Sequence, residues 1–294
     1  MHMEYILSET IAEALQALQN SKGKGRIIAG GTDVLLDIED GKYTAEFLID
    51  ITRIPELLDI SLEDSLLIIG AAVTFTGIAR SALVKQYAPS LAIAAGRVGS
   101  PQIANAATLA GNVITAQPAA DGAMALAALD PVFIIEGPDG RRSVSIDEMY
   151  AGFGRSTVDS TKEIVTHIKI PCQKEDEASA FVRLDMRKSL ALPMLNTSAR
   201  AKVKNGKFEW VKIAMGPVGA GPTRAKKAEE WLTQRDISKS NIQKAAHMVL
   251  EDANPRSSPF RGSREYRLQT LPVIVEQALV NIVEHLGLGD ALCD

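Results

Sequence analysis

At Pro171 the chain changes its pattern, and that change limits the fold more than any other feature. Before it, short apolar runs at 27–29, 47–51, 66–69, 132–136 and 163–170 read as strands, with helical stretches standing between them. A helix is predicted over 10–18, where Thr10 and Glu13 fit a capping box and Ile11, Ala14, Leu15 and Leu18 share a face. Residues 74–83 and 89–97 also read as helices. After Pro171 comes the charged run Gln173-Lys174-Glu175-Asp176-Glu177, and then three strands at 180–184, 197–204 and 208–215. Asn205-Gly206 joins the last two and is a strong two-residue hairpin signal. Helical patterns over 225–232, 239–252 and 264–286 close the chain. Strands first and helices after predict a separate domain from about residue 176, a three-stranded antiparallel sheet backed by helices.

Size and composition permit this plan, since 294 residues at 46% hydrophobic content are ample for a continuous core. No window holds the roughly 18 uninterrupted apolar residues of a spanning helix, and the N-terminus lacks the basic, apolar and small-residue order of a signal peptide. No membrane span is expected, and the cytoplasm is the expected address. A net charge of -4 and a pI near 5.7 give a nucleic-acid partner no global support. The basic residues Arg183, Arg187, Lys188, Arg200, Lys202, Lys204, Lys207 and Lys212 read as the solvated face of strands, with few aromatic neighbours to stack on bases. Cys172 and Cys293 are far apart, and His2, His167, His247 and His285 are scattered. This excludes an iron–sulfur cluster, a structural zinc site or a disulfide framework held by this chain alone. Aromatic residues make up only 5%, so contacts to any planar cofactor are expected from backbone and aliphatic groups.

Two glycine-bearing stretches are the candidate sites. Arg26-Ile27-Ile28-Ala29-Gly30-Gly31-Thr32-Asp33-Val34 runs from a strand into a glycine pair, a hydroxyl and a carboxylate. Consecutive N–H groups in such a turn form a concavity for an anion, and Thr32 adds a hydroxyl donor. Asp33 would repel a phosphate, so its expected work is to fix the loop or to address a ribose or amide. Neither a dinucleotide fingerprint nor a P-loop is spelled here. The second stretch, 98–122, is rich in Ala, Gly, Pro and Asn and reads as a crowded loop. It brings Thr108, Gly111, Asn112, Ile114 and Asp121 within a short span.

Together these motifs, V-G-S-P-Q-I-A-N-A-A-T-L-A-G-N at 98–112, I-T-A-Q-P-A-A-D at 114–121 and R-G-S-R-E-Y-R at 261–267, carry a resemblance over essentially the whole chain. The chain resembles the FAD-binding medium subunit of molybdenum hydroxylases, the xanthine dehydrogenase and carbon monoxide dehydrogenase family. The resemblance implies an α+β fold: a two-subdomain, PCMH-type FAD-binding domain over 1–175, with subdomains of about 1–56 and 57–175. A C-terminal domain over 176–294 follows, a three-stranded antiparallel sheet with a helical bundle. It implies non-covalent FAD, with Arg26, Ile27, Ile28, Ala29, Gly30, Gly31, Thr32, Asp33 and Val34 cradling the pyrophosphate mainly through backbone. Thr108, Gly111, Asn112 and Ile114 would form the second loop. Asp121 would hold the ribityl or adenosine side, Val165 would pack on the flavin, and Arg183 would lie near the carbonyl edge of the ring. Val98 stands where the animal xanthine enzymes have Phe, leaving the ring less shielded.

Other departures are Ala110, where many relatives have Gly, and Thr32, which replaces a His found in some members and removes any histidyl–flavin bond. The cysteine-rich insertion of one branch is absent. By resemblance, electrons pass from a large molybdopterin subunit through a small iron–sulfur subunit to FAD, and then to NAD+ or another acceptor. The alternatives are a free-standing FAD oxidoreductase related to enolpyruvyl sugar-nucleotide reductases, whose Ser/Cys–Glu constellation is not evident here, and an interaction module that has lost its flavin.

Overall fold

The structure, a computed structural model, describes residues 3–187 and 190–292. The chain begins with β1 (Glu4–Leu7), α1 (Ile11–Asn20), β2 (Gly25–Ile28), α2 (Val34–Glu39) and β3 (Phe47–Asp50), which form a parallel sheet in the order β1-β3-β2. The predicted capping box starts α1: Thr10 Oγ1 accepts the Glu13 N–H at 3.1 Å, while the Glu13 carboxylate reaches back to the Glu9 N–H at 2.8 Å. Ala14 and Leu18 then pack on Ile49 and Ile51. A second, antiparallel sheet follows from β4 (Ile60–Glu63), β5 (Leu66–Gly70), β6 (Val132–Gly137), β7 (Gly140–Ser145) and β10 (Ile164–Pro171), ordered β4-β5-β10-β6-β7. Between β7 and β10 the short β8 (Tyr150–Gly152) and β9 (Arg155–Ser156) pair with each other.

The second sheet is covered by six short helices, α3 (Phe75–Arg80), α4 (Ala82–Tyr87), α5 (Pro89–Ala95), α6 (Pro101–Ala106), α7 (Leu109–Ile114) and α8 (Asp121–Ala127). Two of them, α6 and α7, lie in the stretch read from sequence as a loop, and α8 begins at its end. Composition misled there, because capping residues rather than propensity set these helices: Ser100 Oγ accepts the Ile103 N–H ahead of Pro101, and Thr108 Oγ1 accepts the Gly111 N–H. The small residues let short helices crowd together, with Leu109, Val113, Met124 and Leu126 buried beside Phe133 and Ile135.

The third sheet is β11 (Glu177–Leu184), β12 (Leu195–Lys204), β13 (Lys207–Gly216) and β14 (Thr223–Arg224) in sequential antiparallel order, so a two-residue fourth strand joins the three expected. Asn205 and Gly206 have φ of 53° and 71°, the left-handed pair that a two-residue hairpin needs. Helices α9 (Lys226–Leu232), α10 (Lys239–Met248) and α11 (Arg264–His285) cover one face, where Leu195, Ala199 and Ala201 meet Leu271, Val275 and Leu279. The alternate residues of β12 face α8 and are polar. Asn196 Nδ2 donates to Asp121, Ser198 Oγ to the Ala125 carbonyl, and Arg200 to the carbonyls of Pro171 and Cys172 and to Glu177. Arg183 and Arg200 are therefore buried and paired, which corrects the reading of this basic set as a solvated face. Lys188, like His2 and Cys293, lies outside the described residues.

Candidate functional site

The first glycine stretch turns from β2 into α2. Gly31 takes a φ of +68°, which a side chain would strain. Gly30 is needed for a different reason: a Cβ there would fall 1.9 Å from the Ala106 carbonyl oxygen, so it lets the C-terminus of α6 close on the loop. What approaches Gly30 is protein backbone. The N–H groups of Gly30, Gly31, Thr32 and Asp33 have no partner among the described residues, nor do those of Leu109 and Ala110 in the first turn of α7. Leu109 and Ala110 are buried, where an unmet donor is rare, while Gly30, Gly31 and Thr32 are half-buried and Asp33 is exposed. Free donors converging from a turn and a helix start fit an anionic ligand lying on the main chain.

The two loops face each other across one cleft of about 940 Å³, counting space open to solvent. Arg26, Ile27, Ile28, Ala29, Gly30, Gly31, Thr32, Asp33 and Val34 line one side, Thr108, Gly111, Asn112 and Ile114 the other, and Val165 the floor. Thr115 Oγ1 donates to the Gly111 carbonyl at 2.8 Å and stands 3.4 Å from Asp33 Oδ2 across the cleft. Partial burial pushes the Asp33 carboxyl above its usual range, although part of the residue still meets solvent. Asn112 spends its amide oxygen on the Ala123 N–H at 3.2 Å, capping α8, whose own N-cap residue, Ala120, offers no side chain to do so. A Cβ on Gly111 would meet only Thr108 Oγ1, at 3.1 Å.

Val98, Asp121 and Arg183 do not border this cleft. Asp121 and Arg183 form a second cluster, where the residues after α5 and the start of α8 meet β11, and Val98 packs against the core one residue past Arg97. Arg183 donates to the carbonyl of Arg97, at 2.9 Å, and pairs with Asp121 and Asp185. Asn196 Nδ2 donates to the other Asp121 oxygen at 2.8 Å. Both oxygens of Asp121 are thus engaged by protein side chains. Burial pushes its pKa up to about 6, outweighing the Arg183 guanidinium and the Asn196 amide.

Sequence reasoning missed Asp37, Tyr43, Phe75, Ser160 and Glu163, which also line the cleft. Two of these are aromatic, against the expectation of backbone and aliphatic contacts alone. Tyr43 follows a glycine turn after α2 and carries no motif; only its position opposite Arg26, which needs the β2–β3 pairing, brings it in.

Residues 1–173 match the family model described as the FAD binding domain in molybdopterin dehydrogenase, and residues 180–282 match the CO dehydrogenase flavoprotein C-terminal domain. The chain belongs to this family of FAD-binding subunits of oxidoreductases. It is 31% identical over 290 residues to the nicotinate dehydrogenase FAD-subunit of Eubacterium barkeri, covering 97% of this chain and 98% of that one. It is 29% identical to the xanthine dehydrogenase FAD-binding subunit of Escherichia coli O157:H7, covering 96% and 97%. Among solved structures, a carbon monoxide dehydrogenase from Hydrogenophaga pseudoflava that lacks the Mo-pyranopterin moiety superposes with a TM-score of 0.90 at 27% identity, over 97% of this chain and 98% of that one. Among the described residues no helix is long and apolar enough to cross a membrane.

Proposed function

We propose that this chain is the FAD-carrying electron-transfer subunit of a cytoplasmic molybdenum hydroxylase. A small iron–sulfur subunit and a large molybdopterin subunit supply the electrons, and NAD+ or another acceptor takes them. The observation that carries this reading is the set of unpartnered N–H groups from 30–33 and from the first turn of α7, lying on the two sides of one cleft. FAD supplies two-electron chemistry with transfer to an acceptor; the chain supplies position and electrostatics. Residues 30–33 and 109–110 hold the diphosphate through main-chain donors, Val165 and Ile114 exclude water, and the close approach of Gly30 to the Ala106 carbonyl keeps the loops at fixed spacing. Arg183 keeps a positive charge at the Arg97 carbonyl, held in place by Asp121 and Asp185. The cofactor is held without a covalent bond, and the chain divides near residue 175 into FAD-binding and C-terminal domains.

Purified chain incubated with FAD should acquire flavin absorbance, and acid precipitation should release the dinucleotide into the supernatant. Flavin retained on the denatured protein contradicts the non-covalent reading, and a chain that takes up none contradicts FAD binding itself.

A further inference from the structure

Arg26 and Tyr43 form a stack at the β2 end of the cleft. The Arg26 guanidinium lies 3.8 Å from the centre of the Tyr43 ring, and Lys42 Nζ stands 5.0 Å from the same ring. Lys42 is itself held by Asp37 at 2.7 Å, while the Tyr43 N–H donates to the Asp37 carbonyl at 3.3 Å, so the turn that presents the ring is fixed. Arg26 Nε is buried and has no hydrogen-bond partner among the described residues. A cation resting on an aromatic ring accounts for the stack but leaves that donor unmet, which costs free energy unless a ligand accepts it. Arg26 sits two residues, roughly 7 Å, back along the strand from Ile28. That distance from the phosphate-holding loop suits the far side of a ribose rather than the phosphate itself.

We infer that Arg26 and Tyr43 are the platform for the purine base of the bound dinucleotide, the base lying edge-on to the guanidinium and in its plane, so that a ring nitrogen accepts from Arg26 Nε while the base stacks on the Tyr43 ring beside it. The inference rests on the FAD reading above and adds what separates FAD from FMN. Asp37, which lines the same end, is placed to accept from ribose hydroxyls and would repel a phosphate carried there.

The test is titration calorimetry of the full chain with FAD, FMN and ADP, on the wild type and on Tyr43→Leu and Tyr43→Phe. Leu fills much of the space without a ring face; Phe keeps the ring. Tyr43→Leu should raise the Kd for FAD and for ADP by roughly tenfold or more, the scale of base–aromatic stacking, and leave FMN unchanged. Tyr43→Phe should stay close to wild type. Saturation-transfer NMR on the wild-type chain needs no variant and should mark the adenine ring protons of ADP more strongly than its ribose protons. Equal losses for FAD and FMN, an unchanged FAD affinity in Tyr43→Leu, or adenine protons marked no more than ribose would overturn the stacking role and leave FAD binding standing. Tyr43-dependent binding of ADP with no binding of either flavin would overturn the FAD reading alone. Binding of none of the three by the wild type would overturn both.

Discussion

Asp121 is a carboxylate whose partners differ from those that its place in a ligand motif implies: Arg183, Asn196 and the start of a helix surround it. Its folded pKa of about 6 lies above the ordinary carboxylate value of 3.8, so the folded protein binds the proton more tightly than the unfolded chain does. The stabilisation from this group is therefore complete below pH 3.8 and is lost as pH rises through 6, by at most about 3 kcal/mol. Urea unfolding of wild type and Asp121→Asn at pH 4, 5, 6 and 7 should give a stability difference that moves against the wild type as pH rises. A difference that moves in its favour would mean that the Arg183 charge outweighs burial. Gly111 makes the complementary case, because its missing side chain leaves space rather than contact. Gly111→Val should change the stability of the apoprotein by less than about 1 kcal/mol, since valine is the better helix former and its Cβ meets only Thr108 Oγ1, yet weaken FAD by about tenfold or more, 1.4 kcal/mol. Calorimetry with FAD, run beside a thermal melt of the apoprotein, checks both, and wild-type affinity would remove Gly111 from the site. At this scale the sequence made the small and hydroxyl residues legible, because backbone ligation demands them. It hid Arg200 and Tyr43, whose surroundings come from strands distant in the chain.

Among the elements, those missed from sequence share a physical cause. β1, β4 and β7 are sheet edges, and an edge strand exposes much of its surface, so apolar alternation fades: in β7 Gly140, Arg141, Ser143 and Ser145 are exposed and only Arg142 and Val144 are half-buried. The central strands β5 and β6 were legible as apolar runs, and β10 by the alternation of buried Ile168 and Ile170 with half-buried His167 and Lys169. The helices over 101–114 were hidden by their alanines, glycines and asparagines, although Ser100-Pro101 and Thr108 with Gly111 three residues on are capping signals. Capping predicts separable effects here. Ser100→Ala and Thr108→Ala should each cost about 1 kcal/mol of stability. Thr108→Ala alone should also weaken FAD, because α7 and not α6 sends its first-turn N–H groups to the cleft-lining side. Parallel melts and FAD titrations decide, and equal FAD losses in the two variants would mean that the whole helical layer, rather than α7, governs the site.

At the scale of the whole molecule, the break in pattern at Pro171 announced the third sheet, but not how closely that sheet joins the rest. β12 is apolar on the face toward α11 and polar on the face toward α8, where Asn196, Ser198 and Arg200 bond to groups from the first part of the chain. Alternation of this kind looks like a solvent-facing strand in sequence and proves to be a polar seam between two layers. The same scale sets what the chain does alone. Its sequence contains two cysteines, and among the described residues no group of three or more His, Cys, Asp or Glu gathers to hold a metal. On the reading proposed above, electrons reach the bound flavin from another chain. Coexpression with a small iron–sulfur subunit and a large molybdopterin subunit encoded beside it should give a stable three-component complex, and hydroxylation of an aromatic or aldehyde-type substrate should need all three. The chain with FAD alone should manage at most weak dye reduction by NADH, since that transfer requires only the flavin and a docking face. Full substrate turnover by this chain and FAD without partners would overturn the subunit reading and favour a free-standing reductase.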